Sequence, residues 1–320
     1  MGLCRVPSSG FTKPHPGRAD RTARGLSVNA RSISTWSNMD KAIAAREILL
    51  LGALKEARAA AFKAGIETVA LKGAALLELG LYQLGERGMT DADILLRSKD
   101  LLKFEKILAE LGFEPMPGSA DAWQRPGSGS APPAIIDIHT GLWHIKNTEE
   151  LFDWGLEPGP EGLALNLPDL FLHSAAHPLL HHGELPARAV EDCSRIARKA
   201  LEVHGPMFWS AAARKAGFYG LRPVIWPVIA RLLAAGVVPE AAVGNFIVRG
   251  PEKIKAAFFM KAALKHSTAL EYLLPVLHRP VLLARYLFPE QRFMRRRYGA
   301  SSPGAYLLRP LRLLSSILRR

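Results

Sequence analysis

The residues best suited to chemistry lie close together in one segment, 71–96, which reads LKGAALLELGLYQLGERGMTDADILL. Asp91 and Asp93 are two residues apart in an alternating polar and apolar run. On a β-strand, both side chains would therefore leave the same face. Neighbouring carboxylates repel each other and a cation relieves that repulsion. Mg²⁺ suits such a pair, since it prefers oxygen ligands and retains waters that phosphate can replace.

Other residues extend this pattern. Asp137 is a third acid on an apolar run, AIIDIH at 134–139, and would join the pair if the two strands were neighbours. Lys72 and Gly73 lie where a strand turns into a helix, and a small residue there lets phosphate approach backbone N–H groups. Lys72 and Arg87 add positive charge. An isolated Asp-x-Asp is more often only a solvated strand. Acids for metal together with bases for phosphate, however, indicate phosphoryl or nucleotidyl transfer.

A group of histidines allows a different chemistry. His173 and His177 are spaced i, i+4 and share a helix face, and His181 and His182 follow one turn later. Such a pair can bind zinc, as in a histidine-based metal hydrolase. The His-Glu-x-x-His arrangement of zinc hydrolases is absent, however, because residues 174–176 are Ser-Ala-Ala. The alternative is that these histidines pack or form hydrogen bonds.

The elements that must position these residues follow from local patterns. Apolar spacing and Gly or Pro boundaries predict strands at 67–71, 91–96 and 134–139 and a loop or hairpin connection at 116–133. Helices are predicted at 40–64, with Asp40 as N-cap, and at 73–84 and 99–111. After residue 145 we expect helices but no strand, at 168–182, 187–203, 206–216, 223–235, 241–248 and 253–266. The predicted fold class is α+β, with a small mixed sheet of α/β type, followed by a mostly α-helical C-terminal domain.

Composition sets outer limits on the class of protein. The chain has 320 residues, of which 48% are apolar and 22% charged, as in globular proteins. Its two cysteines exclude a disulfide scaffold and a four-cysteine zinc site and favour a reducing, cytoplasmic compartment. No apolar run approaches the ~20 residues of a membrane-spanning helix.

The positive charge lies at the two ends of the chain. Six Lys or Arg and one acid lie in residues 1–38, and ten Arg and one Glu lie in residues 279–320. Of the net charge of +13, the residues between these ends therefore contribute only −1. A neutral body argues against nucleic acid as its partner. The Arg-rich tail can bind phosphates, contact an anionic membrane surface weakly, or cover apolar surface with its Arg stems.

These patterns divide the chain into four regions. We predict a disordered basic extension at 1–38, a catalytic domain at 39–155, a helical domain at 156–278 and a basic helical tail at 279–320. The first region can alternatively be a transit peptide, or can precede a later true start at Met39.

The order of the motifs resembles a known family. Leu-Lys-Gly at 71–73, Arg-x-x-x-Asp-x-Asp at 87–93 and the later Asp-Ile-His at 137–139 are similar to the uncharacterised nucleotidyltransferases of the DNA polymerase β-like superfamily. The resemblance covers about residues 45–290. It includes His-x-x-x-His at 173–177, Glu-Asp at 191–192 and Leu-Phe-Pro at 287–289.

The resemblance implies roles for individual residues. Asp91 and Asp93 would be ligands of two Mg²⁺ ions, and Asp137 would be the third acid, acting as ligand or base. Gly73 would cradle phosphate, with Lys72 and Arg87 as further nucleotide contacts. The positions assigned to substrate positioning are His139, His177 and Asp192.

The implied activity is Mg²⁺-dependent transfer of a nucleotidyl group from a nucleoside triphosphate, ATP for example, to an unidentified small-molecule or peptide acceptor, with release of pyrophosphate. The alternative is a non-catalytic nucleotide- or peptide-binding module in a peptide-modification pathway.

Overall fold

The computed structural model describes residues 37–129, 131–142, 145, 148–264, 268–299, 302–311 and 315. Residues 37–320 form one compact unit. All but the last two residues of the predicted extension at 1–38 lie outside the described residues, and so do both alternatives for it.

Helix α1 spans Asn38–Lys63 and forms because Ala, Leu, Glu and Lys dominate its sequence. Ser37, not Asp40, is its N-cap, which corrects the prediction. The Ser37 Oγ accepts from the Asp40 backbone N–H at 3.2 Å, and the Asp40 carboxylate accepts from the Ser37 N–H at 2.9 Å. Asp40 therefore completes a capping box from the third helical position. The inner face of α1 buries Leu50 and Leu54 completely.

Seven strands form one mixed sheet with the order β3-β4-β5-β2-β1-β7-β6. Their bounds are β1 Thr68–Ala70, β2 Ala92–Leu96, β3 Glu114–Pro115, β4 Ala122–Arg125, β5 Ala134–His139, β6 Leu156–Gly159 and β7 Gly162–Leu165. The pairs β2–β5 and β1–β7 are parallel, and the other four are antiparallel. Every residue of β1 and β2 is buried. The centre of the sheet therefore lies in the core.

The hairpin of β6 and β7 overturns the expectation of no strand after residue 145. Each strand has only four residues, and Pro158, Gly159 and Gly162 interrupt the pattern. Runs this short carry little periodic signal. β7 is stabilised instead by a distant partner, because Leu163 pairs with Val69 of β1.

The remaining helices include Glu149–Trp154 and Thr268–His278, which were not predicted individually, and otherwise follow the predicted order with altered bounds. They are α2 Lys72–Glu78, α3 Leu101–Glu110, α4 Glu149–Trp154, α5 Leu167–His177, α6 Ala187–His204, α7 Met207–Phe218, α8 Arg222–Ala234, α9 Glu240–Val243, α10 Glu252–Ala262, α11 Thr268–His278, α12 Leu282–Leu287, α13 Gln291–Tyr298 and α14 Pro303–Leu307. Single-turn 3₁₀ helices occur at Ser98–Asp100 and Gly244–Phe246. A π-helical turn at Pro178–His182 follows α5 directly. The α+β class with a helical C-terminal region is confirmed. The four-region division stays a prediction.

The helical region packs around α5. Phe171 of α5 is fully buried and meets Phe208 and Trp209 of α7 edge to face, at centroid distances of 5.6 and 5.7 Å. Such aromatic pairs add stability beyond their buried area. Among the described helices, none combines the length and the apolar character needed to cross a bilayer.

Part of the Arg-rich tail packs onto the sheet region. Arg292 and Arg296 of α13 contact the Glu105 carboxylate of α3 at 2.5 and 3.1 Å. The Arg296 guanidinium also lies 5.3 Å from the centre of the Trp123 ring, and Met294 is fully buried. These two arginines therefore pack against the protein. The predicted membrane contact of the tail stays a prediction.

Candidate active site

Two neighbouring parallel strands bring the acidic residues together. Asp93 of β2 is directly opposite Asp137 of β5, and Leu95 is opposite His139. Residues paired in this way, and residues two apart on one strand, point to the same face of a sheet. The carboxylate oxygens of Asp93 and Asp137 and the imidazole of His139 accordingly offer ligand atoms within 4.8 Å of one another. We call these three residues the acidic cluster.

Lys72 completes this constellation from the end of β1. Among the described residues, Lys72 is the one non-glycine residue with a positive φ, at +47°. The backbone is therefore strained at the point where the strand ends and the helix begins. The Lys72 Nζ lies 2.5 Å from the Asp93 Oδ1. His139 Nε2 lies 2.8 Å from that same oxygen and 3.4 Å from the Asp137 Oδ2. Two cationic groups thus converge on one carboxylate that is only 5% exposed.

This charge arrangement changes the acidities of the cluster. Burial alone would lower the pKa of His139, but its hydrogen bonds to Asp137 and Asp93 outweigh it and raise that pKa to about 9. Burial would raise the pKa of Asp93, but His139 and Lys72 hold it well below its usual range. At neutral pH, the cluster therefore contains an ionised Asp93 and an imidazolium.

Asp91 lies one residue before β2 and next to this cluster. Its Oδ1 accepts from the Thr90 hydroxyl at 3.0 Å. Burial, and then the negative charge of Asp93, raise the pKa of Asp91. The group of ligand atoms within 4.8 Å comprises Asp93, Asp137 and His139 and does not contain Asp91. Its predicted role as a metal ligand stays a prediction.

Gly73 is buried, and the packing around it leaves no room for a side chain. A Cβ there would lie 2.3 Å from the Arg87 Nη1 and 2.6 Å from the Met89 Sδ. The space beside its Cα is therefore filled by side chains of the loop that leads to β2. A contact of Gly73 with phosphate stays a prediction.

Arg87 and Asp192, predicted separately, pair with each other. The Arg87 Nε and Nη2 donate to the two Asp192 oxygens at 3.1 and 2.8 Å. The Tyr82 hydroxyl donates to the same carboxylate at 2.7 Å. This buried bidentate pair fastens the loop at 79–91 to α6. The predicted nucleotide contact of Arg87 and the predicted substrate-positioning role of Asp192 stay predictions.

Glu47 of α1 holds the other side of that loop. Its carboxylate is fully buried and accepts from the backbone N–H groups of Gly85 and Gly88, at 2.6 and 2.8 Å. Both glycines have positive φ, at +90° and +70°, which a residue without Cβ adopts at low cost. The loop immediately before Asp91 is therefore fixed by a carboxylate 38 to 41 residues upstream.

Three histidines at the end of α5 and in the π-helical turn interact electrostatically with this site. His177, His181 and His182 offer ring nitrogens within 4.8 Å of one another. Burial lowers the pKa of His177 well below its usual range. The charges of Lys72 and of His173, His181 and His182 lower it further. These interactions connect the turn electrostatically with Lys72 and the acidic cluster. The substrate-positioning role of His177 stays a prediction.

Sequence reasoning missed several residues that shape the site. Asp121 just before β4 interacts electrostatically with Asp137 and His139, and burial raises its pKa. Arg46 of α1 donates to the Thr90 carbonyl at 2.5 Å and interacts electrostatically with Asp91. Asp121 lies in a Gly- and Pro-rich stretch without a strand pattern. Arg46 is one charged residue among many on a long helix. Neither position carries a local signal.

The residues present fit a divalent cation. The two carboxylates of the acidic cluster are the hard oxygen ligands that Mg²⁺ prefers, whereas His139, as an imidazolium, contacts both of them and is not a ligand. The Asp93 Oδ1 contacts two cationic groups, the Lys72 ammonium and the His139 imidazolium, so positive charge is stabilised at this position. A separate cleft of about 780 Å³ is lined by residues that include Tyr219, Glu252 and Lys255 and by none of the acidic cluster.

A mixed sheet with paired aspartates on two neighbouring strands, followed by a helical C-terminal region, is consistent with a nucleotidyltransferase-like fold. The family model described as "Uncharacterised nucleotidyltransferase" matches residues 18–234, and the chain belongs to that family. The match includes all the predicted site residues but ends before the Leu-Phe-Pro element at 287–289. Searches among curated proteins and among solved structures found no match.

Proposed function

We propose that this chain transfers a nucleotidyl group from a nucleoside triphosphate to an acceptor hydroxyl in a Mg²⁺-dependent reaction. The observation that carries the proposal is the direct pairing of Asp93 with Asp137 across two parallel strands, next to Lys72. Membership in a nucleotidyltransferase family supports the same reaction class.

The metal would be held by Asp93 and Asp137, with Asp91 beside them as a further oxygen ligand. When bound, Mg²⁺ neutralises phosphate charge and favours attack at phosphorus. The imidazolium of His139 keeps Asp93 ionised and oriented. Lys72 is 23% exposed in its side chain, so its ammonium group can reach a phosphate oxygen as well as Asp93.

The acceptor oxygen forms a bond to the α-phosphorus, and the bond from that phosphorus to the pyrophosphate oxygen breaks. The acceptor proton passes to a carboxylate of the chain. We assign this role to Asp137, whose side chain is 26% exposed, whereas that of Asp93 is 5% exposed and also accepts from Lys72. Lys72 compensates the negative charge that develops on the phosphate oxygens.

The experiment uses the full chain with Mg²⁺ and each of the four ribonucleoside triphosphates labelled at the α-phosphate, together with hydroxyl-bearing small molecules and peptides. Release of pyrophosphate and transfer of label are measured together. We expect Asp93→Asn and Asp137→Asn to lower both by at least about 100-fold, the scale of losing one electrostatic contact to a transition state. Asp153→Asn, a change at an exposed carboxylate on α4, serves as the matched control.

Transfer that persists in Asp93→Asn at the wild-type rate would contradict the proposal. Mg²⁺-dependent triphosphate binding without pyrophosphate release would instead support the alternative, a nucleotide-binding module without turnover.

A further inference from the structure

A second group of possible metal ligands lies on the helical side of the site. The ring nitrogens of His177, His181 and His182 lie within 4.8 Å of one another, as close as the ligand atoms of the acidic cluster. The His177 and His181 rings are stacked with centroids 4.8 Å apart, and the His182 ring is edge-on to both, at 5.2 and 4.7 Å. We call these residues the histidine triad.

The local backbone explains why three side chains meet here. On an α-helix, successive residues are rotated by about 100°, so residues i+4 and i+5 cannot both lie under residue i. Pro178–His182 is instead a π-helical turn, whose i→i+5 geometry places both positions about one turn away from residue i. His181 and His182 therefore lie about one turn after His177, on either side of a line drawn along the helix through His177. Such turns occur frequently at functional sites.

One member of the triad also has an unused buried nitrogen. The His177 Nε2 is inaccessible to solvent and has no hydrogen-bond partner within the described part of the chain. A buried polar atom without a partner costs free energy, which a bound ligand would offset. His181 and His182 are exposed, so an ion could enter from solvent.

From this geometry we propose that the histidine triad binds a transition-metal ion of the zinc type, separate from the magnesium site of the acidic cluster. The two ligand sets differ in kind. Three imidazoles suit Zn²⁺ and similar ions, whereas carboxylates suit Mg²⁺. The triad differs from the His173 and His177 pair on which the sequence-based zinc alternative depends, because His173 is not one of the three.

Three protein ligands leave one tetrahedral position open. Lys72, which contacts Asp93 of the acidic cluster, also acts electrostatically on His177 and His181. An oxygen ligand such as phosphate would complete the coordination.

The test measures Zn²⁺ binding to the metal-free full chain by calorimetry, without nucleotide, and the visible spectrum of the Co²⁺-loaded protein. We expect one equivalent of Zn²⁺ and the absorption of tetrahedral Co²⁺. His181→Ala and His182→Ala, both at exposed positions, should each weaken binding by more than about 100-fold, beyond the 10–100-fold effect of an outer contact. His204→Ala, at the exposed end of α6, is the matched control and should bind as the wild type does.

Asp137→Asn separates the two sites, since Zn²⁺ binding should survive this change. Binding that is lost in Asp137→Asn but kept in His181→Ala would place the ion at the acidic cluster and overturn the proposal. Absence of Zn²⁺ binding to the wild type would also overturn it. The assay needs neither nucleotide nor turnover, so its failure is distinct from failure of the proposed transfer reaction.

Discussion

Gly52 and Gly73 both lack a side chain, but their surroundings differ in a way that reveals how the site is packed. Gly52 lies on the exposed face of α1, and nothing lies within 4 Å of where its Cβ would be. At Gly73 the same position is taken by the Arg87 guanidinium and the Met89 thioether. Because Arg87 is held by Asp192, it cannot move aside freely.

We therefore expect opposite effects from the same substitution. Gly73→Ala should lower the free energy of unfolding by about 1–3 kcal/mol through overpacking. Gly52→Ala should raise it by up to about 1 kcal/mol, the difference in helix propensity. Urea unfolding of both variants would measure this. Equal effects at the two positions would contradict the packing described for Gly73.

The pKa of the Tyr82 phenol makes the free energy of unfolding depend on pH. Burial, and then its hydrogen bond to Asp192, raise the pKa of Tyr82. Its phenol therefore keeps its proton in the folded chain above pH 10, where an unfolded tyrosine loses it. Below that pH the hydrogen bond contributes fully, and its contribution falls as the pH rises further.

Tyr82→Phe tests this sign. At pH 7 the variant should be less stable by about 1.5–3 kcal/mol, the value of a hydrogen bond to a charged group. Above pH 10 the difference from wild type should shrink by about 1.4 kcal/mol per pH unit. Urea unfolding from pH 7 to pH 11 measures it. A difference that stays constant over this range would show that the phenol does not carry the predicted linkage.

At the scale of elements, the loop at 79–91 is the part of the site that depends most on distant residues. It follows α2 without regular structure and ends at Asp91. Glu47 holds it from α1, and Asp192 holds it from α6 through Arg87 and Tyr82. The conformation of this loop is therefore determined by two helices far apart in the sequence.

Glu47→Ala should loosen the loop, because it leaves two buried N–H groups without an acceptor. We expect a loss of about 3 kcal/mol of stability and increased amide hydrogen exchange at Gly85 and Gly88. Glu47→Gln keeps one carbonyl acceptor and should lose less. Unchanged exchange in Glu47→Ala would mean that the loop holds its conformation without this carboxylate.

The length of each strand and the sequence distance to its partner decided which elements could be predicted from the sequence. β2 and β5 carry five or six residues with clear apolar patterns, so both strands and the meeting of Asp93 with Asp137 could be anticipated. The β6–β7 hairpin could not, because its pairing with β1 is set about a hundred residues away. The Arg87–Asp192 pair was missed for the same reason. Both residues were singled out, but their contact depends on tertiary packing.

At the scale of the whole molecule, the Arg-rich tail is part of the folded unit. Met294 is fully buried on α13, and the arginines on either side of it reach Glu105 on α3. These ion pairs are partly exposed, so each contributes at most about 1 kcal/mol. Burial of Met294 is therefore the larger contribution to docking.

Met294→Ala should consequently release α13, since truncating a buried methionine costs about 2–5 kcal/mol. Trypsin should then cut at Arg292, Arg295 and Arg297 at least about tenfold faster than in the wild type. Leu307→Ala, at a 77% exposed apolar position on α14, is the control and should leave the cutting rate unchanged. Equal rates in all three proteins would show that the segment is held by other contacts.

The strand order also has a consequence for synthesis on the ribosome. β1 is an interior strand of the sheet, yet one of its two neighbours, β7, ends only at Leu165. At about 5–20 residues per second, some five to twenty seconds pass between the emergence of Ala70 and that of Leu165. During that interval one side of an apolar strand has no partner to pair with. The nascent chain is therefore a natural client for a chaperone that shields strand edges, and slowed translation ahead of codon 165 would prolong its exposure.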